Sequence, residues 1–270
     1  MDASFFDSGS VRLLGCHHAP RVAEGAVKSI VICPPLGHEY IRSHWALRLL
    51  ANQFARKGMH VLRFDYRGLG DSFGTPHDVC SMSEWTDDVG AAISQLKRLS
   101  GGDAVMLLGL RTGATLALQS AKERDDVHAV VAWEPVTDGA RYMNQLRSLH
   151  QKMIDLWASP VETVNDECFE ELLGTKYRRS FIRELEEIHE SFGAVELPQL
   201  LVELSDGPSN VGDSPRWQRR LLVDDEDSWC KLCDLEVAWL RPKTSNQIVS
   251  LAVELFSRLE NRAMLSGVLG

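Results

Sequence analysis

The stretch from Ala104 to Leu118, Ala-Val-Met-Leu-Leu-Gly-Leu-Arg-Thr-Gly-Ala-Thr-Leu-Ala-Leu, limits what this chain can fold into more than any other. An apolar run rich in branched side chains reaches Gly109 and Leu110, turns sharply, and restarts as an Ala/Leu helix. That is a strand, a tight turn and a helix, with Gly109 and Gly113 placed where strand and helix must come close together. The residue at the point of the turn is Arg111.

The same alternation extends to both sides. Phe5 to Cys16 reads as an opening hairpin turning at Asp7-Ser8-Gly9-Ser10. Ser29 to Cys33 is a short buried strand stopped by Pro34-Pro35, and Leu36-Gly37-His38-Glu39-Tyr40 follows it. An amphipathic helix then carries Trp45, Leu47, Leu50, Ala51 and Phe54 at helical spacing, and Gly58 caps it. His60 to Asp65 is a strand running into Tyr66-Arg67-Gly68-Leu69-Gly70-Asp71-Ser72, and Met82 to Leu99 is a helix with Trp85, Val89, Ile93 and Leu96 on one face. Past the arginine turn, His128 to Trp133 forms another strand ending in Glu134-Pro135. Strands alternating with helices predict a mainly parallel sheet. Functional groups then gather just beyond the strand ends: Cys33 to Tyr40, Arg67 to Ser72, Arg111-Thr112 and Glu134.

After Asp138 the pattern turns helical and polar-amphipathic as far as about Phe192, with Tyr142, Leu146, Met153, Leu156, Trp157, Phe169, Leu172, Leu173, Phe181 and Ile188 as its apolar positions. It reads as a cap over the strand ends, or simply as further covering helices. Residues 1–137 and 196–270 are thus assigned to one core, with 138–195 as an inserted helical lid. Pro198 to Leu204 resumes the sheet. Gly207 to Asp213 is a loop, Trp217 to Leu222 a short helix, Glu236 to Leu240 the last strand, and Ile248 to Leu259 a closing helix.

Charge narrows the partners. A formal net charge of −9 argues against nucleic acid or an anionic membrane, since either wants clustered Lys and Arg. No apolar run approaches the ~18 residues that span a bilayer. The first residues lack the pattern of a signal peptide, so a cytoplasmic protein with reduced thiols is expected. Asp224-Asp225-Glu226-Asp227 reads as a solvated loop. Cys230-x-x-Cys233 is a lone pair with no histidine after it, which is too few ligands for zinc. Neither a metal nor a cofactor is expected.

These segments together resemble an α/β-hydrolase of the serine-aminopeptidase-like group. The likeness rests on Ile30 to Pro35, Val61 to Ser72, Gly109 to Gly113 and the final strand–helix pair, and it covers nearly the whole chain. The spacing Gly109-x-x-x-Gly113 is that of the superfamily's nucleophile elbow, Gly-x-Ser-x-Gly. More narrowly, Gly109 to Ala114 and Trp133-Glu134-Pro135-Val136-Thr137-Asp138-Gly139 are similar to hydrolase-like proteins associated with exosortase systems and some biosynthetic clusters. The resemblance implies an α/β-hydrolase fold of about eight mostly parallel strands flanked by helices, with a helical lid. It also implies a Ser, Cys or Asp nucleophile, a later acid, and a His before the last helix.

Two of those three parts are missing. Arg111 stays cationic and cannot attack a carbonyl. No histidine follows His189, and the slot before the last helix holds Arg241-Pro242-Lys243-Thr244-Ser245-Asn246-Gln247. What stands at the elbow suits an anion: a guanidinium at a helix start, the Thr112 amide, and backbone donors at Leu36 and Gly37. Tyr40, in the same loop, joins the substrate-binding residues. A buried cation needs a partner, and Glu134 at the next strand end is the expected one. His38 is the nearest general base.

Two readings stay open. In one, the protein acts on an acyl ester, a thioester or a carboxylate-bearing metabolite through an Arg111-centred anion or oxyanion site. In the other it is an inactive relative that binds a metabolite or a partner enzyme. A roomy polar pocket favours the first; a pocket closed by a direct Arg111–Glu134 bridge favours the second. A homodimer or a partner biosynthetic enzyme is open in either case. Cys33 is expected to pack, Asp71-Ser72 to order its turn, His17-His18 to be solvated, and Trp85, Trp133 and Trp239 to lie in the core. His150 and His189 fall in the lid.

Overall fold

A computed structural model of the chain describes residues 1–22, 27–156, 166–189, 197–204, 218–223, 229 and 241–267. Strands β1 (Asp2–Ser8) and β2 (Val11–His18) form the opening hairpin, with Gly9 at φ +59° in its turn. Then come β3 (Lys28–Cys33), α1 (Gly37–Arg56), β4 (Met59–Phe64), α2 (Met82–Ser100), β5 (Val105–Leu110), α3 (Thr112–Glu123) and β6 (Val127–Trp133). Helix α4 (Gly139–Asp155), strands β7 (Phe169–Leu172) and β8 (Thr175–Arg178), and helix α5 (Arg179–Glu186) are inserted before β9 (Gln199–Leu204). Strand β10 (Gln218–Val223) and helix α6 (Pro242–Gly267) follow.

Eight strands form one sheet in the order β1-β2-β4-β3-β5-β6-β9-β10, an α/β-hydrolase architecture. β1 and β2 run antiparallel, and β4 onward is parallel. From β3 the chain first steps to β4 and then returns to β5 on the other side, so the strand order reverses at β3. Such a reversal opens a crevice at the carboxyl ends of the two strands. The Leu36–Glu39 turn and the Arg111 elbow meet there.

Alternation along each strand divides the core. Val31, Leu107 and Val130 pack on the face covered by α2 and α3, whereas Ile30, Ile32, Met106 and Val131 pack on the face covered by α1 and α6. Tyr142, Leu146, Leu172, Phe181 and Leu185 of the inserted segment join the first cluster, beside Tyr66 and Trp85.

Three expectations are corrected. Phe169 to Leu173 is not helical but belongs to the β7–β8 hairpin, because Leu173 (φ 53°) and Gly174 (φ 80°) close a two-residue turn. The predicted short helix at 217–222 is the edge strand β10, held in parallel register by β9. Trp45, read as inward-facing, is 52% exposed. Trp157, the 207–213 loop, Asp224 to Asp227, Cys230, Cys233 and the 236–240 strand with Trp239 lie outside the described residues. Among the described residues no helix is long and apolar enough to cross a membrane.

Candidate active site

The elbow is steric in origin. A Cβ on Gly109 would lie 2.3 Å from the Cα of Ala114, and one on Gly113 would lie 2.3 Å from the carbonyl oxygens of both Cys33 and Pro34. Only glycine lets β5, α3 and the end of β3 approach so closely. Between them Arg111 takes φ 54° and ψ −120°, a conformation that costs a non-glycine residue about 1–3 kcal/mol. Its amide donates to the Trp133 carbonyl at 2.9 Å, and its own carbonyl accepts from Ala114 at 3.0 Å.

The guanidinium is held from several sides. Nε donates to Glu39 Oε1 at 3.0 Å, and Nη1 donates to the Glu134 carbonyl oxygen at 3.0 Å. The Tyr142 ring lies beneath the guanidinium, 5.3 Å from ring centre to Cζ, and its hydroxyl donates to Glu39 Oε2 at 2.9 Å. Arg111, Glu39 and Tyr142 are only 8, 2 and 3% exposed. Burial and the Glu39 charge raise the Tyr142 phenol well above its ordinary pKa, so it stays a donor.

Glu134, the expected carboxylate partner, turns through φ 42° to offer its carbonyl to Arg111, and its Oε1 accepts from the Trp229 amide at 3.4 Å. Glu39 supplies a carboxylate that the sequence reading did not place beside Arg111. The physical reason lies in where α1 begins. Helicity starts at Gly37, which puts Glu39 in the first turn, where the helix dipole favours a carboxylate.

Leu36, Gly37 and Thr112 do gather at the elbow. The Leu36 amide, however, donates to Thr112 Oγ1 at 3.1 Å, so one expected oxyanion donor is already engaged. Gly37 sits at φ +57° under Tyr177, whose hydroxyl would be 2.6 Å from a Cβ there. His38 is half-buried; its Nε2 is shielded and makes no hydrogen bond. Burial, aided by Arg42 and Arg111, pulls its pKa below the usual imidazole value against Glu39. Tyr40 does not reach Arg111: its hydroxyl donates to Asp65 Oδ1 at 2.6 Å on another side of α1.

Other residues resolve into structural work. Burial pushes the Cys33 thiol up to about 12, consistent with packing. Ser72 Oγ donates to the Asp65 carbonyl at 2.6 Å and accepts from Leu14 at 2.8 Å, so it does order its turn. His17 and His18 are buried, not solvated, because β2 pairs with β4. His17 stacks on His60, and His18 meets Asn52 and Arg63. Burial, with Arg63 nearby, pushes His18 down to about 4. His150 Nδ1 accepts from the Leu173 amide at 3.1 Å. Asp88 was missed: fully buried, it accepts from Arg67 Nη2 and from Ser8 Oγ, both at 2.7 Å. Its place on the apolar face of α2, beside Trp85 and Val89, was the available signal. At the start of α6 the buried Ser245 accepts from Gln53 Nε2 at 3.1 Å where the resemblance implied an imidazole. Among the described residues no three His, Cys, Asp or Glu side chains group to hold a metal.

Known proteins resemble this chain in sequence and in fold. Residues 28–166 match the sequence profile of the family described as serine aminopeptidase, S33. The quorum-quenching protein AidA of Acinetobacter baumannii (strain MDR-ZJ06) is 31% identical over 136 residues, a match covering 50% of this chain but only 43% of AidA. Est1E from Butyrivibrio proteoclasticus, solved with ferulic acid bound, superposes over 94% of this chain and 100% of its own, with a TM-score of 0.63 at 16% identity. Proline iminopeptidase of Mycobacterium smegmatis covers 97% and 100% of the two chains, with a TM-score of 0.62 at 10% identity. At such identities the structural likeness speaks for the fold alone.

Proposed function

The chain belongs to the serine aminopeptidase S33 family of the α/β-hydrolase superfamily, and from that premise we propose that it binds a small acyl or carboxylate-bearing metabolite without serine-type turnover. One observation carries the reading: the buried Arg111–Glu39–Tyr142 network stands where the nucleophile belongs. Hydrolysis through an acyl-enzyme needs a hydroxyl or thiol at the elbow and an imidazole to deprotonate it. Arg111 supplies no nucleophile. Its charge is matched by Glu39, which weakens its pull on an incoming anion, and the Leu36 amide is turned onto Thr112. In this reading the elbow is a brace between α1, α3 and α4, and the described part of the insertion, α4 to α5, acts as a fixed cap.

A fluorophosphonate probe tests this directly. The wild-type protein is expected to label no more than its heat-denatured control. Stoichiometric labelling would overturn the proposal, and the labelled residue would identify the nucleophile.

A second reading draws on the strained elbow backbone and on the unpartnered Nε2 of His38. In it Arg111 polarises the carbonyl of an ester or thioester, the backbone of Leu36, Gly37 and Thr112 receives the developing charge, and His38 activates water while Glu134 positions Arg111. Thioester hydrolysis that survives purification and disappears in both H38Q and R111Q would select this reading over the first.

A further inference from the structure

A cavity of about 240 Å³ lies between α1, β2, β3 and β4, and Arg111 does not line it. Arg48 and Arg63 do, together with Tyr40, Asp65 and Asp71 and apolar side chains such as Leu14 and Leu47. Arg63 donates through Nε to His18 at 3.3 Å, and Arg48 stacks on Trp45 with Cζ 5.0 Å from the ring centre. Among the described residues neither guanidinium has a carboxylate at salt-bridge distance. Asp65 spends its oxygens on the Tyr40 hydroxyl and the Asp71 amide. Sheltered charges are normally paired, and a guanidinium fork matches a carboxylate edge-on. In a chain of net charge −9, two cations left facing one cavity are therefore notable.

We infer that this cavity binds a small monocarboxylate with a compact apolar or aromatic body, its carboxylate held between Arg48 and Arg63. The apolar lining takes the body. Asp65 and Asp71 in the same wall disfavour a dianion such as phosphate, and the volume lies below that of drug-sized sites. His18, neutral at physiological pH, adds no competing charge beside Arg63. The inference rests on the proposed binding role for its biological use, whereas the site itself is read from geometry alone.

The test is titration of the full-length protein with benzoate, followed by calorimetry and by amide shifts in 15N-labelled protein. Saturable binding is expected, with shifts concentrated in α1, β2 and β4. R63Q and R48Q should each weaken it by about tenfold or more. R48Q serves where R63Q disturbs the fold, since Arg48 is partly exposed and its guanidinium lies over the Trp45 ring. Absence of saturation at millimolar benzoate, unchanged affinity in R48Q, or shifts centred on Arg111 and Glu39 would each overturn the site. Inorganic phosphate binding as tightly as benzoate would overturn the ligand class. Probe labelling of a nucleophile strikes the proposed function and leaves this site standing, so the two failures are separable.

Discussion

Arg111 and Arg63 are both sheltered arginines in an acidic protein, yet their surroundings differ in kind. Arg111 is met by a buried carboxylate, a tyrosine ring and a carbonyl oxygen, all from the protein itself. Arg63 has one bond to a neutral histidine, feels the charge of Asp65 without bridging to it, and faces a cavity. The first arrangement is complete without a ligand, and the second is not. Position in the fold would suggest the reverse, because the elbow is where this superfamily does its chemistry.

Stability measurements can break that contrast. Glu39→Ala strands a buried guanidinium and is expected to cost about 3–5 kcal/mol in urea unfolding. A loss below about 1 kcal/mol would mean that Arg111 relaxes toward solvent and is available to ligand. Tyr142→Phe removes a donor from buried Glu39 and should cost about 1–3 kcal/mol. Arg63→Gln should cost less than about 1 kcal/mol, as a cation with one long bond to a neutral histidine and no bridging carboxylate contributes little to folding. A large loss there would make Arg63 structural and erase the difference between the two sites.

The smallest effect concerns pH. The folded protein holds His18 near 4, below the 6.5 of a free imidazole, so folding favours the neutral ring. The resulting stability is whole above about pH 6.5 and drains away as pH falls toward 4. His18→Gln should lessen the slope of the unfolding free energy across that window, where His17, His38, His44 and His60 are also shifted down, and an unchanged slope would place the acid sensitivity elsewhere.

Much of this was legible in the sequence, but unevenly. Strands such as Ser29 to Cys33 and Val105 to Leu110 declare themselves because both faces are buried and the runs are uniformly apolar. The elbow declared itself through Gly109 and Gly113. β10 and the β7–β8 hairpin did not, since six- and four-residue strands take their identity from the partner that pairs with them. Glu39 was hidden for another reason. It lies 72 residues from Arg111, and placing it at the elbow required knowing that α1 begins at Gly37. Tyr40 was placed at the elbow because adjacent helical residues look equivalent in a sequence, although a step of about 100° sends them to different sites. Arg63 reads as a mere polar interruption of His60-Val61-Leu62-Arg63-Phe64 until β2 is laid against β4.

The most direct measurement is a double-mutant cycle on Arg111→Met and Glu39→Leu, read as unfolding free energies. If the pair is a built brace, each single substitution should cost about 3–5 kcal/mol and the double substitution no more than either alone, because no orphaned charge is left. Losses that simply add, or single variants that differ from wild type by less than about 1 kcal/mol, would contradict it.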